Sequence, residues 1–349
     1  MLRGQQIGVI SLETGNDSLG LANNPAYKRT RLWAWARASR IGQSARACRS
    51  FRHELWAWAR CKEIPATGVE QLTKSIEVLE AQDSDSGKQT EAPIFLLSTG
   101  WRAGSTLLQR ILVTDPRLLL WGEPLAEMTM IPRIAEMVSQ SISARNLQLW
   151  KDQQDPNSPA LSTSWVANLY PPSADFRSGL QSIFNRWLGE PAYQRGFARW
   201  GLKEVRLGAA DAVLLHWLYP NARFVIISRH PYDSYRSLAD AGWGQVYHRY
   251  PDAPVDSAAS FARHWNRLAV SWGQLPAGFP VVHIKYEDLI GGKVNFRELE
   301  SSLGLEIKEN IALSAEVGGT ARRVQLSWFE RMIIRREAGE GMAALGYSK

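Results

Sequence analysis

The stretch TGWRAGSTLLQR, residues 99–110, has the residue types of an anion-binding turn. An apolar run precedes it and apolar residues follow it with helical spacing, which predicts a strand, a turn and a helix. Gly100 and Gly104 allow the backbone to close around an anion, and the amino end of the helix offers N–H donors. Arg102 lies inside the turn, where its guanidinium can bind two oxygens of one tetrahedral anion. Alone, the motif also fits an ordinary strand–turn–helix with an exposed arginine.

A second candidate anion site lies in ARFVIISRHPYDSYRSL, residues 222–238. Arg229 directly follows a predicted buried strand at residues 224–228, and Pro231 suits the first turn of a helix. Ser237 lies eight residues after Arg229, so the two side chains can hold an anion between them. The alternative is a capped helix with surface arginines.

Together the two motifs resemble those of the sulfotransferases that use 3′-phosphoadenosine 5′-phosphosulfate (PAPS). Residues 99–106 are similar to that family's 5′-phosphosulfate loop, and Arg229 with Ser237 is similar to its 3′-phosphate motif. KYEDL at residues 285–289 and MAALGY at residues 342–347 resemble further family segments, so the resemblance covers about residues 93–347. It implies donor-binding roles for ten residues: Gly100, Trp101, Arg102, Ala103, Gly104, Ser105, Thr106, Arg229, Ser237 and Tyr286.

The sequence departs from the family pattern at four positions. Trp101 stands where the loop often has proline, and His230 replaces the usual aspartate. Arg102 stands where cytosolic members carry lysine, but arginine is normal at this position in the tyrosylprotein branch and in many bacterial branches. Leu107 replaces the aromatic residue that often stacks on adenine, so the adenine contact must come from elsewhere. None of these changes removes a phosphate ligand.

Sulfuryl transfer needs positioning, charge neutralisation and removal of the acceptor's proton. Arg102 and the loop N–H groups can neutralise charge on the sulfuryl oxygens. The resemblance to carboxylate-using branches implies that Glu123, in WGEPL, is the base; alternatively it is a helix-terminal charge before Pro124. The resemblance also implies that Lys203, in GLKEVR, meets the leaving phosphate, with Arg206 as a neighbouring alternative. This chemistry requires no metal.

These groups need a parallel sheet to position them. From residue 93 onward apolar strands alternate with helical patterns, which predicts an α/β fold. The resemblance implies a three-layer, P-loop NTPase-like sulfotransferase domain at residues 91–349. Residues 1–90 are predicted to be a basic, tryptophan-rich helical extension and linker, in which LWAWAR occurs at residues 32–37 and 55–60. Tryptophans two positions apart cannot share one helical face, so one of each pair should face outward.

The composition indicates which binding partners and which cellular compartment the protein is suited to. The net charge of +7 fits an anionic ligand or surface, and two cysteines suit a reducing cytoplasm. No apolar run is long enough to predict a transmembrane segment, although the extension could contact a membrane peripherally. No nucleic-acid partner is expected. The sequence leaves the oligomeric state and the acceptor open.

The predicted function is transfer of a sulfuryl group from PAPS to an acceptor hydroxyl, or less favourably an amine. Small metabolites and glycans are the favoured acceptors, and the aromatic stretch at residues 241–255 is a candidate acceptor wall. One alternative is a P-loop nucleotide kinase, although three residues separate the loop glycines and no Walker lysine follows Gly104. The other alternative is a non-catalytic binding protein with a sulfotransferase fold.

Overall fold

The computed structural model describes residues 54–56, 58–59, 67–81, 91–124, 129–140, 155, 157–163, 173–241, 255–308 and 324–348. The first LWAWAR repeat, residues 32–37, and residues 242–254 of the candidate acceptor wall lie outside these residues.

The described residues form one five-stranded sheet in which every neighbouring pair of strands is parallel. Its strand order is β2-β3-β1-β4-β5. Parallel strands end at the same edge of a sheet, and ligands bind where the strand order reverses, which here lies between β1 and β4. The strands are β1 Ile94–Ser98, β2 Leu118–Trp121, β3 Arg199–Glu204, β4 Arg223–Ser228 and β5 Val281–Lys285.

Helices connect and cover these strands. The described α-helices are α1 Val69–Ala81, α2 Ser105–Leu112, α3 Met130–Gln140, α4 Ala160–Thr163, α5 Ser173–Phe184, α6 Glu190–Gln194, α7 Ala209–Leu218, α8 Pro231–Ala241, α9 Ala258–Ser271, α10 Tyr286–Ile290, α11 Phe296–Leu303, α12 Trp328–Glu337 and α13 Gly339–Ala344. A π-helical turn, Asn185–Gly189, joins α5 to α6, and a 3₁₀ turn, Trp272–Gln274, follows α9.

The described residues form three apolar clusters, and two of them lie on opposite faces of the sheet. Successive strand side chains point to opposite faces. Phe95 and Leu97 of β1 accordingly pack with the buried residues of α1, α3, α5 and α7, whereas Ile94 and Leu96 pack with those of α2 and α11. This arrangement confirms the predicted three-layer α/β fold with a parallel sheet.

Part of the range assigned to the extension packs into this core. Leu72 and Leu79 of α1 are at most 1% exposed and belong to the same apolar cluster as Phe95. The second LWAWAR repeat also contacts the domain, because the Trp58 indole donates a 2.7 Å hydrogen bond to Glu337 while Trp56 is 56% exposed. The outward-facing tryptophan is therefore confirmed for this repeat. The division of the chain at residue 90 stays a prediction.

Candidate active site

The turn after β1 has the backbone geometry that its glycines predict. Gly100 and Gly104 have φ of 120° and 95°, which glycine adopts without steric penalty. Arg102 also has a positive φ, 63°, which is uncommon for a residue with a side chain. The Ser98 hydroxyl donates a 2.8 Å hydrogen bond to the carbonyl of Gly100 and so fixes the entry to the turn. The chain then enters α2 at Ser105, so that the helix's first N–H groups border the turn.

Hydrogen bonds link the two predicted anion sites into one wall, formed by Arg102, Arg229 and Ser237. Arg229 lies just after β4 and donates from Nη1 to the carbonyl of Arg102 at 3.1 Å. Arg102 in turn donates from Nε to the hydroxyl of Ser237 in α8 at 3.0 Å. The adjacent ends of β1 and β4 therefore bring all three residues together, at the crevice where the strand order reverses.

Tyr286, the first residue of α10, supports both halves of this wall. The Arg229 guanidinium lies 4.2 Å from the centre of its ring, within the range of a cation–π contact. The ring also meets the loop, because a Cβ built on Gly104 would lie 2.2 Å from Tyr286 Cδ2. The glycine at position 104 is thus required both by its backbone angle and by the ring beside it.

Several polar atoms around the crevice suit an anionic ligand. Thr99 Oγ1, Arg229 Nε and Ser234 Oγ are buried and have no hydrogen-bond partner among the described residues. Buried polar groups are normally hydrogen-bonded, and an unsatisfied one is costly. Ser105 is buried whereas Thr106 is exposed, so the loop residues differ in their access to solvent. The residues present fit a ligand with two separated anionic groups.

A second group of charged side chains lies at the ends of β2 and β3. Glu123, two residues after β2, accepts on Oε1 from Lys203 Nζ at 2.7 Å and on Oε2 from Arg206 Nη2 at 3.1 Å. Arg206 Nε also donates to Glu204 Oε1 at 2.8 Å. The structure therefore brings the predicted base and the predicted leaving-group lysine into direct contact.

These side chains differ in burial. The Glu123 side chain is 26% exposed, whereas those of Lys203 and Arg206 are 9% and 6% exposed. Glu204 is 2% exposed; burial raises the pKa of its carboxyl and the nearby charge of Arg206 opposes that rise. Sequence reasoning did not identify Glu204, although its place between Lys203 and Arg206 was a usable signal.

The indole of Trp101 stacks on the imidazole of His264. The rings of Trp101 and His264 are 4.6 Å apart and inclined by 28°. His264 is completely buried in α9, and burial, reinforced by nearby arginines, lowers the pKa of its imidazole well below 6.5. The histidine is therefore neutral at pH 7. The stack fixes the residue that precedes Arg102, at the position where the family often has proline.

His230, Glu287 and Tyr347 form a hydrogen-bonded group beside the end of β4. The backbone N–H of His230 donates to Glu287 at 2.9 Å, and the Tyr347 hydroxyl donates to the same carboxylate at 3.1 Å. Tyr347 also lies 3.1 Å from the hydroxyl of Ser228. The segments KYEDL and MAALGY therefore meet next to the Arg229 site.

The described residues contain neither a metal-binding cluster nor a membrane-spanning helix. Among the described residues, no three histidine, cysteine or acidic side chains converge on a point where they could hold a metal ion. In the same part of the chain, no helix combines the length and apolarity needed to cross a bilayer.

Comparison with known proteins assigns the chain to a family. The model of the sulfotransferase family matches residues 93–309, more than half of the chain. The chain therefore belongs to the sulfotransferase family, and it is a transferase with a sulfotransferase fold. No curated protein matches it.

Solved structures resemble the chain at low identity. The sulfotransferase domain from the curacin biosynthetic pathway is 16% identical, with 75% of this chain and 99% of that chain covered and a TM-score of 0.42. A sulfotransferase from Alicyclobacillus acidocaldarius is 15% identical, with 73% and 95% covered and a TM-score of 0.38. A sulfotransferase from Mycobacterium tuberculosis H37Rv is 16% identical, with 78% and 81% covered and a TM-score of 0.33.

Proposed function

We propose that the protein transfers a sulfuryl group from PAPS to a hydroxyl of an acceptor, with an amine as the less favoured nucleophile. The observation that carries this proposal is the shared wall of Arg102, Arg229 and Ser237 at the ends of β1 and β4. It presents two guanidinium groups to a ligand with two anionic ends, and membership of the sulfotransferase family agrees with it.

In this proposal the two arginines have different tasks. Arg229, with Ser237, binds the 3′-phosphate and so fixes the position of the donor in the crevice. Arg102 and the N–H groups at the start of α2 bind the phosphosulfate, where charge develops during transfer. Tyr286 keeps the loop and Arg229 at a constant separation, because its ring lies against both.

Glu123 removes the acceptor's proton in the proposed reaction. As the acceptor O–H bond breaks, its proton passes to the carboxylate and the acceptor oxygen forms a bond to sulfur. The bond between sulfur and the donor's phosphate oxygen breaks, and its electron pair stays on that oxygen. Lys203, which is within 2.7 Å of Glu123, supplies a positive charge close enough to meet the leaving phosphate.

The proposed reaction needs no metal ion. We place it in the cytoplasm, in keeping with a chain of two cysteines, and favour a small metabolite or a glycan as acceptor.

Two measurements test the proposal. Calorimetry in EDTA should show binding of adenosine 3′,5′-bisphosphate, and Arg229→Ala should weaken this binding whereas Arg117→Ala, at the amino ends of the strands, should not. Incubation with ³⁵S-labelled PAPS and cell extract should then label an acceptor that mass spectrometry can identify. Binding of ATP–Mg²⁺ without any response to the bisphosphate would support a nucleotide kinase. Bisphosphate binding without transfer to any acceptor or to water would support a non-catalytic protein.

A further inference from the structure

The two oxygens of Glu123 are held by two different cations. Lys203 Nζ lies 2.7 Å from Oε1, and Arg206 Nη2 lies 3.1 Å from Oε2. Only one of these cations is shared with a second carboxylate in the buried group, because Arg206 Nε also donates to Glu204 at 2.8 Å. The oxygens of the proposed base are therefore not equivalent.

Arg206 is held in place by its surroundings. Its planar guanidinium bridges Glu123 and Glu204, and its side chain is 6% exposed. Glu204 is itself fixed, because it is 2% exposed and its Oε1 also accepts the backbone N–H of Val205 at 2.8 Å. If Arg206 turned toward a ligand, it would leave a buried carboxylate without its counter-charge, which is strongly unfavourable.

Lys203 is held less firmly. Its ammonium is a compact charge on a flexible stem, and its donors can be redirected by rotation. Among the described residues its ion pair in this group is the one with Glu123 Oε1. An anion at the phosphate loop would compete with Glu123 for this ammonium, whereas Arg206 would remain on Oε2.

We propose that Arg206 and Glu204 are positioning residues for Glu123. They fix Oε2, and Oε1 is the oxygen that takes the acceptor's proton after Lys203 has turned from it to the donor's phosphate oxygen. The inference rests on the proposed function. It gives different roles to Lys203 and Arg206, which the sequence leaves as alternatives for meeting the leaving phosphate. It also implies an order of events, because Oε1 becomes available only once the donor has bound.

The experiment compares Arg206→Gln and Lys203→Met in the full chain. Turnover is measured as release of ³⁵S from labelled PAPS to water and to the acceptor found with cell extract. Affinity for adenosine 3′,5′-bisphosphate is measured by calorimetry. Arg206→Gln should lower kcat by roughly 10²-fold, the effect of a displacement of about 1 Å in a catalytic group, and should leave bisphosphate affinity within about twofold. Lys203→Met should weaken both quantities.

Rescue by a conservative variant, read together with the split between kcat and bisphosphate affinity, distinguishes positioning from a merely structural role. Glu204→Gln keeps acceptors for Arg206 and Val205 and should retain more kcat than Glu204→Leu. Asp115→Asn is the matched control, because it removes the ion pair between a buried carboxylate and the half-exposed Arg117, at the amino ends of the strands. It should lower stability and leave kcat and bisphosphate affinity unchanged.

Each outcome decides the inference. Normal kcat in Arg206→Gln would overturn it, and so would a loss of bisphosphate affinity equal to that in Lys203→Met, which would make Arg206 a donor ligand. If Arg206→Gln does not fold, Arg206→Lys and Glu204→Gln provide the same comparison. Failure of the unmodified protein to bind bisphosphate and to transfer label would refute the proposed function itself, and the inference with it. Normal transfer by both unmodified protein and variants would refute the inference alone.

Discussion

Replacement of Gly104 by alanine tests whether the ring of Tyr286 is a fixed wall of the phosphate loop. The added Cβ would meet Tyr286 Cδ2 at 2.2 Å, and Gly104 has a φ of 95°. The backbone conformation costs ~1–2 kcal/mol for a residue with a Cβ. Overpacking adds ~1–3 kcal/mol, because the 7% exposed ring must retreat against Arg229. The free energy of unfolding should therefore fall by roughly 2–5 kcal/mol.

Gly196 provides the matched control. Its φ is 85°, but a Cβ there would have no heavy atom within 4 Å. Gly196→Ala thus carries the backbone cost without the clash, and both variants share the same change in unfolded-state entropy. Urea unfolding of the two variants should differ by about 1–3 kcal/mol. Gly104→Ala should also bind adenosine 3′,5′-bisphosphate more weakly, whereas Gly196→Ala should not.

A third variant isolates the clash. The double variant Gly104→Ala, Tyr286→Ala has no ring for the added Cβ to meet. Its loss of unfolding free energy should therefore be smaller than the sum of the two single losses by the overpacking cost, which a double-mutant cycle measures. Equal destabilisation by Gly104→Ala and Gly196→Ala, or strict additivity in the cycle, would refute the reasoning. The loop glycine would then be required for its backbone angle alone.

Three further predictions concern the site and the sheet. Arg102→Ala should mainly lower kcat, whereas Arg229→Ala should weaken bisphosphate binding by ~1.5–3 kcal/mol. If calorimetry showed the same loss of binding in both variants, with no separate loss of kcat in Arg102→Ala, these roles would be contradicted. Glu123→Gln should keep bisphosphate affinity and lose roughly 10²–10⁴ in turnover of labelled PAPS, and near-normal turnover would assign the base elsewhere. Burial raises the pKa of the Asp115 carboxyl, but hydrogen bonds from Arg117 and from the Glu306 N–H outweigh this and lower it to about 2. Asp115→Asn should therefore lower the free energy of unfolding by about 2 kcal/mol at pH 7. In urea titrations this difference between variant and unmodified protein should vanish as pH falls from about 4 to about 2. A difference that does not change with pH would contradict this cause.

Local features of the site could be predicted from the sequence, because each depends on a short stretch. The strand, turn and helix around Gly100 and Gly104 follow from glycine spacing and apolar periodicity. The bounds of helix α1 and its burial in the core were not predicted, although Val69, Leu72, Ile76 and Leu79 have the spacing of one buried helical face.

Long-range contacts could not be predicted in the same way. Nothing near Trp101 or near His264 in the sequence indicates that the two rings stack, since they are brought together only by the packing of α9 against the loop. The same holds for the arginine that bridges Glu123 and Glu204, because β2 and β3 become neighbours only in the folded sheet. Residues 242–254 of the predicted acceptor wall lie outside the described residues, and the wall stays a prediction.

The position of β1 in the centre of the sheet has a consequence for how the protein is made. Both neighbours of β1 come from chain that follows it by more than one hundred residues, since Ile94 pairs with Gly201 on one side and with Arg223 on the other. Pairings of such separation form slowly, and a chain emerging from the ribosome must carry the apolar β1 uncovered until they do. Arg102 would thus be synthesised early and become part of a working site late. Nascent chains that end before β4 should be bound by chaperones or aggregate, and affinity for the bisphosphate should appear only in the last stage of refolding.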